Sequence, residues 1–147
     1  VVLRDTAVQG AGLTAVAGAK RLERIDLSET QVDDAGLANL AVHEQLRRLN
    51  LWSTRVTDQG LQHLEKMTQL EWLNLDSTGI GDRGVERLLG HANLKTLNLS
   101  GTRITDGAIK SLARLSALKE LNLSFTGVSD NGVATFLEAV PGCDVTR

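Results

Sequence analysis

Apolar positions return along this chain every 24 residues. Leu22, Leu46, Leu70, Leu94 and Leu118 fall on one another, as do Ile25, Leu49, Leu73, Leu97 and Leu121, and then Leu27, Leu51, Leu75, Leu99 and Leu123, with no insertion or deletion. A fixed period of this length marks an array in which each unit buries its apolar side against its neighbours. Within a unit the Leu-x-x-Leu-x-Leu run sends alternate side chains to opposite faces, which predicts a strand of about four residues with one face buried. Thr30, Thr54, Thr78, Thr102 and Thr126, followed two residues later by Val or Ile, mark the turn out of each strand. Next come Asp34, Asp58, Asp82, Asp106 and Asp130, three of them preceded by Thr57, Thr105 or Ser129, and then apolar residues at helical spacing such as Leu61, Leu64 and Met67. These segments are expected to be capped amphipathic helices, with the aspartates bonding the free N–H groups of the first turn. Strands stack at about 4.8 Å and helices need about 8 to 10 Å, so the array is expected to curve with its sheet on the inside.

The register extends beyond the full units. Val1, Leu3, Thr6, Val8, Gly12, Leu13 and Val16 match Ile25, Leu27, Thr30, Val32, Gly36, Leu37 and Leu40, so residues 1–20 read as a first repeat lacking its opening residues. Its glycines Gly10, Gly12 and Gly18 predict a short or loose helix, since glycine weakens a helix by about 1 kcal/mol relative to alanine. Five full repeats occupy 21–141, and 142–147 begin a sixth strand in which Gly142 and Val145 replace leucines. Residues 1–147 therefore read as one domain, and as a fragment of a longer protein because the chain opens in mid-repeat on Val1. The strand edge at Val1–Leu3 could pair with a second copy, so a dimer through that edge is an expectation.

Composition narrows the functional classes. A formal net charge of −2 with acids and bases mixed gives no basic face for nucleic acid. The longest apolar runs fall far short of the roughly 20 residues of a membrane span, so a soluble chain with no membrane partner is expected. Cys143 is the only cysteine, which leaves no internal disulfide and points to a reducing, cytoplasmic setting.

The units at 22–40, 46–64, 70–88, 94–112 and 118–136 follow L-x-x-L-x-L-x-x-T-x-[VI]-x-D-x-G-[LVI]-x-x-[LF]. This pattern resembles the leucine-rich repeats, and among them the ribonuclease-inhibitor-like and cysteine-containing classes. Threonine stands where the second class has cysteine, as in bacterial repeat proteins, which often end on a strand similar to Pro141–Val145. The resemblance implies an α/β fold: a curved right-handed leucine-rich-repeat solenoid with the parallel sheet on the concave face and helices on the convex face. It implies binding through the concave sheet and no reaction. Ala108 departs from the pattern by replacing the helix glycine, a change expected to favour that helix.

The columns divide into regular and irregular ones. The threonines read as structural, their hydroxyls satisfying backbone groups in the turns. Asp26, Asn50, Asn74, Asn98 and Asn122 form a file along the sheet whose amides can bond each other as a ladder. Variation is concentrated at the concave positions: Arg24, Arg48, Trp72, Thr96 and Glu120 in one row, Arg4, Ser28, Trp52, Asp76, Ser100 and Ser124 in another, and Asp5, Glu29, Ser53, Ser77, Gly101 and Phe125 in a third, which puts Phe125 on the open face with the tryptophans. Both tryptophans of the chain lie in these rows although aromatics make up only 3% of it. Trp and Arg are the types enriched at binding hot spots. The competing reading is that the tryptophans merely cover neighbouring strands, with Arg48 stacked on Trp72 as a cation–π pair.

No metal site is expected, because His43 and His91 occupy the same helix-end column two units apart, about 16 to 20 Å. Cys143 has no histidine in a nearby column and reads as a buried structural thiol. The chain is thus expected to be a non-enzymatic module, without cofactor, that binds a protein or peptide. The expected contact patch holds Arg24, Arg48, Asn50, Trp52, Arg55, Trp72, Asn74 and Asp76. Two alternatives are the substrate-recognition arm of a ubiquitin ligase or kinase whose catalytic domain lies outside these residues, and a purely structural array whose helices pack on another domain.

Overall fold

The computed structural model describes residues 1–6, 10–19 and 21–147. Val8, one of the residues assigned to the first repeat, lies outside them. The described residues hold a six-stranded, all-parallel sheet in chain order: β1 (Arg24–Asp26), β2 (Arg48–Asn50), β3 (Trp72–Asn74), β4 (Thr96–Asn98), β5 (Glu120–Asn122) and β6 (Asp144–Thr146). The register steps by 24 residues at every pair, so Ile25, Leu49, Leu73, Leu97, Leu121 and Val145 lie side by side. Val2 extends this sheet by a parallel bridge to Asp26, with Leu3 N–H donating to the Asp26 carbonyl at 2.8 Å. Each strand is three residues long rather than four, although backbone bonds to the next unit continue beyond it, as from Leu27 N–H to the Asn50 carbonyl and Glu29 N–H to the Trp52 carbonyl.

That turn has a fixed geometry. Asp5, Glu29, Ser53, Ser77, Gly101 and Phe125 occupy one column, and all have φ between +51° and +64°. One residue on, the threonine hydroxyl donates back to the carbonyl of the strand's last leucine, at 2.5 to 2.8 Å for Thr30, Thr54, Thr78, Thr102 and Thr126. The threonines therefore close their own turns rather than reaching into neighbouring ones. After each turn the chain forms a second parallel ladder, seen as bridges Asp33↔Arg55, Thr57↔Gly79, Gly81↔Arg103 and Thr105↔Gly127.

The helices are shorter than expected: α1 (Asp34–Ala38), α2 (Asp82–Glu86), α3 (Ile109–Leu112) and α4 (Asp130–Ala139). Residues Gly10–Ala15, Gly60–Leu64 and Asp106–Ala108 are 3₁₀ turns. Among the α-helices of the described residues only α4 exceeds five residues. A 24-residue unit that includes two turns and a strand leaves room for one or two helical turns, and these close by i to i+3 bonds. Ala108 ends a 3₁₀ turn instead of strengthening an α-helix.

The aspartate column requires the main correction. Helix caps are supplied by Asp33, Thr105 and Ser129, whose side chains accept from the N–H groups of Gly36, Gly107 and Gly132. The repeated aspartates instead reach across to the next unit. Asp34 accepts from the Thr57 N–H at 2.7 Å and its hydroxyl at 2.6 Å. Asp82 takes the same two donors of Thr105, and Asp106 those of Ser129, while Asp58 accepts from the Gly81 N–H. A backbone N–H and a hydroxyl on one carboxylate make charge-assisted bonds, roughly twice as strong as neutral ones. Asp34, Asp58, Asp82 and Asp106 thus staple their repeats to the next, the hydroxyls of Thr57, Thr105 and Ser129 accept in turn from their own helical turns, and Asp130 pairs with Arg147 instead.

The core is a continuous file of buried leucine, isoleucine and valine running from Leu13 to Val140. His91 is fully buried within it, its ring nitrogens 3.0 Å from the carbonyls of Leu88 and Leu64. It therefore ties two units together at their helix ends. His43, in the equivalent column, is also buried. Cys143 is buried at the last strand, as expected, and burial first, then the charges of Asp144 and Glu120, push its thiol up.

Candidate functional site

Strand alternation turns the middle residue of each of β1 to β5 into the core and the two flanking residues onto the face opposite the helices. Because the register is exact, these residues line up in rows. The first row reads Arg24, Arg48, Trp72, Thr96, Glu120 and Asp144, and the second Asp26, Asn50, Asn74, Asn98, Asn122 and Thr146.

The second row is a turn device before it is a ladder. Asn50, Asn74, Asn98 and Asn122 each accept, through the side-chain oxygen, the N–H two residues on, at 2.9 to 3.2 Å. Asp26 accepts both the N–H and the hydroxyl of Ser28. Asn50 also bonds the Asp26 carboxylate, which is the lateral contact expected of a ladder. Burial raises the Asp26 carboxyl, but the bonds from Ser28 and Asn50 and the charge of Arg4 together hold it below the usual carboxylate range.

Both tryptophans are half-buried and braced by arginine. The Arg48 guanidinium lies 4.7 Å from the centre of the Trp72 ring, and that of Arg4 lies 5.7 Å from Trp52. Arg4 is itself tied to Glu29 at 2.8 Å. The Arg48–Trp72 pair named in the competing reading, in which the tryptophans cover neighbouring strands, is therefore present. Such pairs hold aromatic rings in one orientation at about 0.5 to 1 kcal/mol each when exposed. Arg24 and Asp76 share this face, whereas Arg55 stands on the turn ladder opposite Asp33, beyond the strand rows. Phe125, read from the sequence as the third aromatic of the open face, is 90% exposed.

A cavity of about 300 Å³ opens on the same face between Trp72 and β6, lined by Thr96, Asn98, Glu120, Asn122, Asp144 and Thr146. A broader groove of about 1080 Å³ lies on the turn and helix side, where Arg83, Arg87 and Arg103 alternate with Asp58, Glu65 and Glu86. Among the described residues no three His, Cys, Asp or Glu side chains are grouped to hold a metal ion, and no helix is long and apolar enough to cross a membrane.

The acids that join repeats set the pH response. Hydrogen bonds from Lys95 and then Arg47 hold Glu71 below its ordinary range, and those from Ser129 do the same for Asp106. A carboxyl depressed in the folded state stabilises it fully above the unfolded value, about 3.9 for Asp and 4.3 for Glu, and the effect disappears as pH falls through the folded value. Thermal midpoints should therefore hold steady from neutral pH to about 5 and fall below about pH 4. The Asp106→Asn variant should show a shallower acid fall than the parent. Parallel curves would mean that the staples contribute no pH dependence.

A leucine-rich repeat family model matches residues 66–89, 90–113 and 115–137. Comparison with the curated proteins found no sequence match. Among solved structures, internalin C2 of Listeria monocytogenes aligns with a TM-score of 0.75 and 27% identity over 90% of this chain and 54% of its own. A leucine-rich repeat protein of Leptospira interrogans gives 0.72 and 18% identity over 91% of this chain and 33% of its own. A second Listeria monocytogenes internalin gives 0.59 and 18% over 99% and 53%. This chain thus spans about half or less of the length of these structures. The 24-residue period, one parallel strand per unit and the matching family model agree: the chain carries leucine-rich repeats, matched by the family model over residues 66–137, on a fold that serves generally as a protein-interaction module.

Proposed function

We propose that the sheet face opposite the helices binds a protein segment, with Trp52 and Trp72 as its anchors. The observation that carries this reading is that the only two tryptophans of the chain both stand on that face, each braced by an arginine. A ring already held in one rotamer loses little entropy on binding, and buried Trp and Arg supply most of the energy at hot spots. Phe125 supports the same reading. It holds φ +56° in a column otherwise filled by Asp, Glu, Ser and Gly. A bulky residue in this region costs on the order of 1 to 3 kcal/mol, and here the ring is left in water. Arg24, Asn50, Asn74 and Asp76 supply polar contacts around the anchors.

Five strand spacings separate β1 from β6, about 24 Å, which an extended segment of about seven or eight residues crosses. A random library of displayed dodecapeptides selected on the intact chain tests the reading. Selected peptides should bind the Trp52→Ala and Trp72→Ala variants at least about tenfold more weakly, equivalent to about 1.4 kcal/mol. They should bind a Lys110→Ala variant on α3 like the parent. Peptides indifferent to both tryptophans but sensitive to Lys110 would place binding on the helix side instead.

A further inference from the structure

We propose that the cavity between Trp72 and β6 seats a cationic side chain, lysine or arginine, of the bound protein segment. This inference rests on the sheet-face reading above and adds the chemistry of one subsite to it. Trp72, Thr96, Glu120 and Asp144 are consecutive in one row, so a short threonine separates a large aromatic wall from two carboxylates. Two strand spacings, about 10 Å, separate the strands of Trp72 and Glu120, which leaves room for a guanidinium or ammonium group. The cavity measures about 300 Å³, enough for the end of one long side chain.

Three features select a cation. Arg48 covers Trp72 from β2, and the cavity opens on the other side of the ring, toward β4 to β6. A cation entering there meets the negative face or edge dipoles of the indole on one side and two acids on the other. Glu120 and Asp144 are register partners on adjacent strands. Like charges directly opposite each other oppose pairing in the free protein, and a bound cation relieves that repulsion. The Thr96 hydroxyl donates to Glu120 Oε2 at 3.2 Å, which orients the exposed carboxylate along the row toward Trp72. Asn98 and Asn122 line the cavity alongside, their side-chain oxygens already committed to the turns.

The charged rows are also ordered along the sheet. In the first row Arg24 and Arg48 lie on β1 and β2, and Glu120 and Asp144 lie on β5 and β6. An acidic side chain would be repelled at the far end, so the segment is bound in one direction, with its basic residue over β4 to β6.

The probe is Nα-acetyl-arginine amide, compared with its neutral isostere Nα-acetyl-citrulline amide, titrated into the full chain while the indole N–H signals are followed by NMR. The Trp52→Phe variant assigns the two signals. The Trp72 signal should move saturably, with arginine preferred over citrulline by about fivefold, the size of a modest cation–π or ion-pair contribution. Glu120→Gln with Asp144→Asn should remove that preference while leaving the citrulline response unchanged. Equal responses to the two probes, no saturable shift at Trp72, or an arginine preference that survives in the double variant would each overturn the proposal. The selected peptides separate this failure from that of the broader reading. Peptides that need Trp52 and Trp72 but carry no basic residue sink the subsite alone, and peptides indifferent to both tryptophans sink the sheet face.

Discussion

Replacing Leu97 with alanine is expected to lower the unfolding free energy by about 3 kcal/mol, the middle of the range for leucine truncation in a packed core. Leu97 is fully buried on β4, in register with Leu73 and Leu121 on either side. A repeat in such an array contacts only its neighbours, so no other part of the protein can close over the lost methyl groups. The position is also central, and weakening it uncouples the units before it from those after it. Equilibrium urea unfolding followed by far-UV circular dichroism would report both effects, as a lower midpoint and a broadened transition. Leu97→Met conserves volume and should cost less than about 1.5 kcal/mol. A loss below about 1 kcal/mol for Leu97→Ala would mean that the file of leucines is loosely packed at its centre.

The second large effect concerns a glycine. Gly132→Ala is expected to destabilise the protein by about 2 kcal/mol, within the range for overpacking. A Cβ added there would stand 2.2 Å from Asp106 Oδ1 and 3.1 Å from a Val128 methyl. The carboxylate cannot withdraw without releasing the Ser129 N–H and hydroxyl. The sign should reverse when the carboxylate is absent. In an Asp106→Ala background the same alanine relieves a helical glycine, worth up to about 1 kcal/mol, and should be neutral or stabilising. Four denaturation curves form the complete cycle. Additive effects would show that the glycine is there for its backbone and that the neighbouring aspartate is irrelevant to it.

This pair shows where reading the chain alone falls short. The Asp-x-Gly motif is visible in one unit, and within one unit an acid beside a helix start looks like a cap. The cap is in fact the preceding hydroxyl or Asp33, and the aspartate's partner is 23 residues away. Gly60, Gly84 and Gly132 each leave space for the carboxylate of the previous unit, and Gly107 does so in the unit where Ala108 takes the usual place. The glycine column is therefore a packing requirement between repeats, and helix propensity within one repeat says nothing about it.

The functional face divides in the same way. Trp52 and Trp72 were legible because an aromatic residue breaks a column of small or charged ones, and strand alternation alone sends them outward. Arg48 on Trp72 was legible because adjacent rows are one strand apart. Arg4 on Trp52 was not, since it depends on how the first strand joins the sheet. Phe125 was legible for the same reason as the tryptophans, and only its positive φ is a feature that no residue pattern reports. The neighbouring of Glu120 and Asp144 was implicit once Val145 was set in the leucine column, but the cavity between them and Trp72 was not, because it depends on how far the side chains of three strands stand apart.

By itself the sequence determined the repeat, the order and parallel direction of the strands and which residues enter the core. Those properties follow from a side-chain period of two within a strand and an uninterrupted period of 24 between strands, and both are local or strictly repeated. Tertiary structure alone decided how the units are joined, which turns adopt the left-handed backbone, and which charged residues face one another across the sheet. Each of these depends on atoms separated by a whole repeat, and their distance is set by packing rather than by their spacing along the chain.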